Sequence, residues 1–300
     1  MIINRSNLST LGVAFSAAFM GGLSAAQADW DKVAMEIASS SAKNEYGWLG
    51  EIPEIRKWLG ERQVNNLRTY DYSLVNEDYE NTIAVARNDV EDDNLGLYSK
   101  RFEMMGRRVT SFPDTLIFPL LKAGFDRLCY DGQYFFDTDH PVLDAAGVVQ
   151  SVSNTGGGSG TPWALLATGE PLKPLIYQKR RAFEMVAMDR PDDEQVFSRK
   201  EFRYGVDGRA TAGFGMWQCA YGSKQTLDPA SYGAAFANIE TRTGDYGVKL
   251  GLKPTLLVVP PTLRAAAWAL LKAPTYVSGG AAVPNPWFGS ADLLVTNHFA

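Results

Sequence analysis

The sequence predicts an α+β fold in which helices and strands follow one another without a regular β-α-β repeat. A long region with helical periodicity lies in the first half, where Tyr98, Phe102, Met105 and Val109 recur on one helix face. Turn-rich and β-prone segments follow from Cys129 onward. The last third mixes short helix and strand patterns, and we find no internal repeat.

The composition sets the outer limits of what the chain can be. It has 300 residues, 45% of them hydrophobic, which suffices for one large domain or two modest ones. A net charge of −5 gives no support for sequence-specific nucleic-acid binding. Cys129 and Cys219 are too few for a disulfide framework and are expected to be buried free thiols. After residue 30 no apolar run is long enough to predict a membrane span.

The first 30 residues admit two interpretations. Leu11, Phe15, Phe19 and Leu23 recur every four residues, which predicts one apolar stripe on a helix. The same stretch has the pattern of an export signal, with a basic residue, an apolar run and a small-residue cleavage pattern at residues 26–28. These residues alone leave the choice open.

Residues 45 to 90 predict a long two-stranded hairpin with polar faces. Tyr70, Tyr72 and Leu74 alternate with polar neighbours, residues 82–86 form a second β-prone run, and residues 76–81 read as the turn between them. Because an isolated hairpin is only marginally stable in water, we expect this one to pack on something else, such as another chain.

Two helical segments are predicted next. The first follows the acidic residues 89–93, which suit the positive end of a helix dipole. The second begins at Pro113, a residue favoured in a first helical turn, and Pro119 is expected to kink it.

The second half predicts a series of shorter elements. Residues 154–160, NTGGGSG, are typical of a flexible loop. The other predictions are strands at 175–178, 205–221, 255–259 and 291–296, and helices at 228–239 and 262–271.

The sequence shows little catalytic chemistry. His140 lies near Asp137 and Asp139, as a metal ligand would, but aspartates before a proline more often form turns. The glycine-rich segment lacks the lysine of a phosphate-binding P-loop. We therefore predict no enzyme, no catalytic residues, no cofactor and no metal site.

Several segments, in order along nearly the whole chain, resemble the Mu-like phage major head subunit family. They are SSSAKNEYGWLGEIPEIRKWLGER, NDVEDDNLGLY, PDTLIFPLLKAGF, CYDGQYFFDTDHPV, LKPLIYQKRR, FRYGVDGRATAGFGMWQCAYG, PTLLVVPP and NPWFGSADLLVTNHF. The resemblance extends to the start of the chain and favours a structural arm over a cleaved signal.

What the resemblance implies is a capsid protein of the Hong Kong 97-type fold. Its parts are expected at residues 1–32 (N-terminal arm), 33–92 (extended E-loop hairpin and stem), 93–225 (peripheral domain with spine helix), 226–283 (axial domain) and 284–300 (a strand returning to the peripheral domain).

The implied function is that of a major capsid protein. Copies would assemble into hexamers and pentamers of an icosahedral shell, in the host cytoplasm, with a separate scaffolding protein and a portal. The shell would enclose double-stranded DNA without sequence-specific binding, and no membrane is involved. The residues expected to contact neighbouring subunits are Phe15, Phe19, Arg56, Lys57, Trp58, Arg62, Tyr70 and Tyr72. Lys57, Asn65 and Asn66 are available for a covalent cross-link between subunits.

Two alternatives remain at this point. One is a cellular nanocompartment shell with the same fold, which encloses protein cargo. The other is an exported binding protein or enzyme whose mature chain begins at Asp29.

Overall fold

A computed structural model describes residues 2–47, 49, 72–92, 95–278 and 281–300. Six helices lie in this part of the chain: α1 (Arg5–Ala25), α2 (Arg87–Glu91), α3 (Gly96–Ala123), α4 (Glu194–Arg199), α5 (Pro229–Glu240) and α6 (Arg264–Leu271).

The strands of the same residues form two larger sheets and three two-stranded ones. They are β1 (Ala34–Ala38), β2 (Lys43–Glu45), β3 (Ser73–Val75), β4 (Glu77–Ala86), β5 (His140–Leu143), β6 (Val149–Val152), β7 (Thr155–Gly158), β8 (Trp163–Leu166), β9 (Leu175–Met188), β10 (Glu201–Phe214), β11 (Ala220–Lys224), β12 (Leu256–Val259), β13 (Thr275–Ser278), β14 (Ala281–Pro284) and β15 (Asp292–Val295). The mixture confirms the predicted α+β class.

The first sheet has the strand order β1-β9-β10-β4 and is built on a long hairpin. Its two central strands, β9 and β10, have 14 residues each and pair antiparallel, with Phe214 opposite Leu175 at one end. Phe202, Tyr204 and Val206 alternate with more exposed neighbours along β10 and are buried. This alternation gives the sheet one apolar face, on which α1 and α3 pack.

Helix α3 crosses that face as one element of 28 residues. The predicted break is wrong, because Pro113 and Pro119 both lie inside the helix. Each interior proline costs about 3 kcal/mol. Residues of both halves are fully buried, among them Phe102 and Ile117. Burying such side chains contributes about 1.5–3 kcal/mol each, so packing along the whole length outweighs the prolines.

The second sheet has the order β15-β12-β8-β11-β7. Every residue of β8 and β12 is buried, as expected for central strands covered on both faces. The predicted glycine loop is corrected here, since residues 155–158 form strand β7, which pairs parallel with β11. Glycine content hid this strand because glycine disfavours strands when only local preference is considered.

The predicted hairpin is also corrected. Residues 77–86 form the single strand β4, paired with β10 over ten positions, so no turn lies at 76–81. Its outward side chains are polar, which gave the segment the composition of a turn. On either side of the undescribed residues, β2 and β3 pair antiparallel. Residues 50–71, with most of the predicted hairpin, lie outside the described residues.

The predicted C-terminal helices and strands are present, and the structure adds the unpredicted pair β13 and β14. Asp228 caps α5 through a capping box with Ser231. Strand β15 pairs parallel with β12, and the last turn at Asn297–Phe299 packs on α3. Strands β8 and β11 share this sheet although they precede residue 226, so sheet membership does not follow the expected domain ranges. Those ranges stay a prediction.

Candidate assembly surfaces

Helix α1 is integrated into the core of the subunit. Leu8, Leu11, Phe15 and Phe19 form its buried stripe. The ring of Phe15 stacks on Phe102 of α3, with centroids 4.3 Å apart, and meets Tyr204 of β10 edge-on at 5.2 Å. The predicted four-residue stripe is thus the inner face of the helix.

Two of the predicted intersubunit contacts lie on this inner face. Phe15 and Phe19 are 1% and 2% exposed, and both rings pack within their own subunit. In this conformation both rings pack inside the subunit, and their contact with a neighbouring subunit stays a prediction.

From Ser6 onward the outer face of α1 is uncharged, and between Val13 and Met20 it is apolar. Val13 and Met20, one heptad apart, are 67% and 60% exposed. No charged residue occurs from Ser6 to Ala28. By length and composition α1 could cross a membrane, but its buried stripe is already occupied by the subunit's own side chains. Surface helices normally carry charges on the solvent side, so this outer face has the character of an unfilled contact surface.

Helix α1 lies very close to α3 and runs parallel to it. A Cβ on Gly22 would lie 2.0 Å from the carbonyl oxygen of Glu103, and a Cβ on Gly106 would lie 2.1 Å from that of Phe19. The Thr110 hydroxyl also donates to the Leu23 carbonyl at 2.9 Å. Only glycine at these two positions permits this approach, which holds α1 in one position on α3.

Asp114 anchors the chain just after α1 ends. Its carboxylate Oδ1 accepts hydrogen bonds from the backbone N–H groups of Asp29, at 3.0 Å, and Trp30, at 2.8 Å. Burial raises the pKa of Asp114, while these two hydrogen bonds act in the opposite direction. The segment between α1 and β1 is therefore fixed to α3 by one buried acid.

Tyr72, another predicted contact residue, belongs to a polar network at the base of the predicted E-loop. Its hydroxyl accepts a hydrogen bond from the Phe214 N–H at 2.7 Å, and burial raises its pKa. Nearby, the Tyr46 hydroxyl donates to Gln178 Oε1 at 2.5 Å, and Gln178 Nε2 donates to Asn76 Oδ1 at 2.8 Å. Tyr46 and Tyr72, on either side of the undescribed residues 50–71, are thereby bonded to the long hairpin.

The remaining predicted contact residues, which are Arg56, Lys57, Trp58, Arg62 and Tyr70, lie outside the described residues. The cross-link candidates Lys57, Asn65 and Asn66 lie there as well. Their contacts with neighbouring subunits stay predictions.

The structure shows a further exposed apolar surface that sequence reasoning missed. Phe197 on α4, at the tip of the β9–β10 hairpin, is 90% exposed, and Val186 and Met188 on β9 are exposed as well. The available signal was the largely apolar run FEMVAM at residues 183–188, which extends β9 beyond the predicted end at residue 178.

The candidate metal residues are arranged differently from the sequence prediction. His140 is fully buried and pairs with Asp131 rather than with Asp137 or Asp139. Both cysteines are free and buried, as predicted, and Cys129 contacts Asp131. Burial raises the pKa of the Cys129 thiol.

Comparison with known sequences gives consistent matches over the full length. The sequence model of the Mu-like prophage major head subunit gpT matches residues 8–299. The major capsid protein of Escherichia phage Mu is 40% identical over 304 residues, covering 99% of this chain and 100% of that protein. The major head subunit of Mu-like prophage FluMu in Haemophilus influenzae is 40% identical over 282 residues, covering 92% of each chain.

Comparison with solved structures agrees. The chain matches a subunit of the bacteriophage JBD30 procapsid with a TM-score of 0.88 and 40% identity, covering 99% of this chain and 100% of that one. It matches a subunit of the JBD30 capsid with a TM-score of 0.76 and 30% identity, covering both chains completely.

Proposed function

Because the chain belongs to the family of Mu-like prophage major head subunits and is a major capsid protein with the Hong Kong 97-type fold, we propose how it builds its shell. Its copies associate head-to-tail into hexamers and pentamers, since heterologous contacts close into rings when the rotation allows. These capsomers tile an icosahedral shell that encloses double-stranded DNA.

The observation that carries this proposal is the full-length match, which includes α1. Two exposed apolar surfaces add support: the outer face of α1, around Val13 and Met20, and the hairpin tip, around Phe197. Contiguous exposed apolar surface is uncommon on monomeric proteins and typically marks a contact site. A subunit with such surfaces at separate places suits a shell in which each copy touches several neighbours.

The proposed partners follow from the same role. A scaffolding protein and a portal assemble with the subunit in the host cytoplasm, and the finished shell becomes part of the virion. The net charge of −5 is consistent with a shell that encloses DNA without sequence-specific binding. The role is structural, and we assign no catalytic step to any residue.

The conformation fits an early stage of the shell. The match to the JBD30 procapsid subunit has the higher TM-score, 0.88 against 0.76 for the capsid subunit. We therefore assign the described conformation to a shell that has not yet reached its final form.

Both alternatives are less well supported. An exported protein beginning at Asp29 would lose the residues that fill the space between α3 and the first sheet. A nanocompartment shell would enclose protein, and the contents of isolated particles distinguish it from a DNA-filled phage head.

The outer face of α1 offers a direct test. In the double variant Val13→Glu and Met20→Glu, the new charges stay in solvent in the free subunit, so the fold and its thermal unfolding should change little. In an assembled shell the same charges would be buried without partners, so shells should be lost. The matched control is Met20→Leu, which keeps the face apolar.

The readout is the fraction of chain in particles, measured by sedimentation and electron microscopy, with circular dichroism reporting the fold. Normal shells from the folded double-glutamate variant would contradict a contact role for this face.

A further inference from the structure

Three potential metal ligands converge where the loop after α3 meets the first residue of β5. Cys129 Sγ lies 2.9 Å from Asp131 Oδ1, and His140 Nδ1 lies 2.7 Å from Asp131 Oδ2. The three donor atoms lie within 4.8 Å of one another. His140 is fully buried, the Asp131 side chain is 2% exposed, and Cys129 is 5% exposed. One carboxylate therefore lies between a thiol and an imidazole, away from solvent.

The orientation of the His140 ring is fixed by its other neighbours. The ring stacks on Trp217 with centroids 3.9 Å apart, and Nε2 lies 3.2 Å from Asn154 Oδ1. The direction of the Asn154 amide is set, because its Nδ2 donates to the Phe135 carbonyl and its Oδ1 accepts from the Asp137 N–H. Nε2 must therefore donate, and it carries a proton.

This arrangement leaves a lone pair facing an anion. With the proton of the neutral ring on Nε2, Nδ1 presents its lone pair to Asp131 Oδ2 at 2.7 Å. Two acceptors at that distance need a proton or a metal ion between them. A proton, on the ring or on the Asp131 carboxyl, would link the pair without involving the thiol, whereas a metal ion would draw on all three groups.

The chemistry of the three groups favours the metal ion. Thiolate, imidazole and carboxylate together are typical zinc ligands, while magnesium and calcium prefer oxygen alone. A thiolate and a carboxylate neutralise a divalent ion, so the buried site would carry no net charge. In a metal-bound histidine, one ring nitrogen usually holds the metal and the N–H of the other donates to an oxygen. The Nε2–H of His140 donates to Asn154 Oδ1 in this way.

We propose that Cys129, Asp131 and His140 bind a zinc ion. As the zinc–sulfur bond forms, the Cys129 thiol releases its proton to solvent, and no oxidant or reductant is required. The ion holds the loop after α3 closed and, through the His140 ring, fixes the turn that contains Trp217. The site is independent of the assembly proposal, because every ligand comes from one subunit.

The test uses the full-length, untagged chain in a Cys219→Ser background. Since the chain has two cysteines, Cys129 is then its single thiol. Zinc bound after dialysis is measured by mass spectrometry, and cobalt(II) is added to the metal-free protein. We expect about one zinc ion per chain and a thiolate-to-cobalt charge-transfer band in the near ultraviolet.

Variants separate the ligands from their surroundings. Cys129→Ser should abolish the charge-transfer band, and His140→Asn should lower the zinc content at least tenfold. Asp139→Asn is the matched control: it removes an exposed acid next to His140 in sequence and should leave both readings unchanged. If Cys129→Ser does not fold, the band in the parent chain still reports the sulfur ligand.

Three results would overturn the proposal. One is a parent chain that retains no zinc and gives no charge-transfer band. Another is a band that survives when Cys129 is replaced. The third is a ¹⁵N spectrum in which both nitrogens of His140 are protonated in zinc-treated protein, which would place a second proton where the ion is expected.

Discussion

At the scale of single residues, buried polar side chains fix the joints between elements. Arg242 is an example: it is 3% exposed, and its guanidinium donates to the carbonyls of Trp217, Gln218 and Ala220. Burial lowers its pKa to about 10, so the group remains charged at neutral pH. It holds the turn that carries the chain from β10 of the first sheet into β11 of the second.

Such residues are difficult to predict from sequence. A lone arginine after α5 looks like an exposed side chain, because arginine is seldom fully buried. The carbonyls that it binds lie more than twenty residues away in sequence. Asp228 was predictable because its partners, Ala230 and Ser231, are local.

Asp114 gives a testable consequence at this scale. Replacing it with alanine leaves the N–H groups of Asp29 and Trp30 without their acceptor and should cost roughly 1–3 kcal/mol of unfolding free energy. Asparagine keeps an acceptor oxygen at the same place, so Asp114→Asn should cost less. Both are measured by chemical denaturation of the full chain.

The pH dependence of Asp114 has a definite sign. Burial raises its folded-state pKa above the ordinary value of 3.8, so the folded chain takes up this proton more readily than the unfolded chain does. Lowering the pH from neutral through the raised pKa toward 3.8 should therefore stabilise the wild type relative to Asp114→Asn. A difference that moves in the opposite direction would contradict this assignment.

At the scale of elements, the contact between α1 and α3 depends on backbone approach. The new methyl group in Gly106→Ala would collide with the Phe19 carbonyl and force the helices apart, at a cost of about 1–3 kcal/mol. Gly21→Ala is the matched control, since nothing lies within 4 Å of its Cβ. It should be neutral or stabilise by about 0.5–1 kcal/mol, because alanine favours a helix.

Urea denaturation gives the two free energies, and protease digestion reports how firmly α1 is held. Equal stability and equal protection in Gly106→Ala and Gly21→Ala would show that the close approach does not hold the arm.

An element could be predicted when residues close in sequence determine it, and was missed when its partners are distant in sequence. The stripe of α1 was visible because Leu11, Phe15 and Phe19 are four residues apart. Strand β7 and the outer residues of β4 were misread, since glycines and polar side chains look like turns until their partner strand is known. The continuity of α3 was missed because burial outweighs two prolines.

At the scale of the whole molecule, the fold depends on pairings between distant segments. In the second sheet β8 pairs with both β11 and β12, which follow it by more than fifty residues, and no local pattern specifies that order. The resemblance to a known family supplied what periodicity could not. The described fold and the full-length relatives agree with it, while the contacts of the residues expected to meet neighbouring subunits stay predictions.

Helix α1 bears on both the subunit and its assembly, because its inner face stabilises the subunit and its outer face is proposed to contact a neighbour. Deleting residues 1–28 removes the side chains that cover Phe102 and Tyr204. We expect the truncated chain to be less stable than the full chain and unable to assemble, while the second sheet, which α1 does not cover, keeps its structure.

The most direct measurement is electron microscopy of the full-length chain and the 1–28 deletion, each produced alone and with the proposed scaffolding protein. The account predicts ring-shaped capsomers or closed shells from the full-length chain and neither from the deletion. Uniform monomers of the folded full-length chain under both conditions, or normal shells from the deletion, would contradict it.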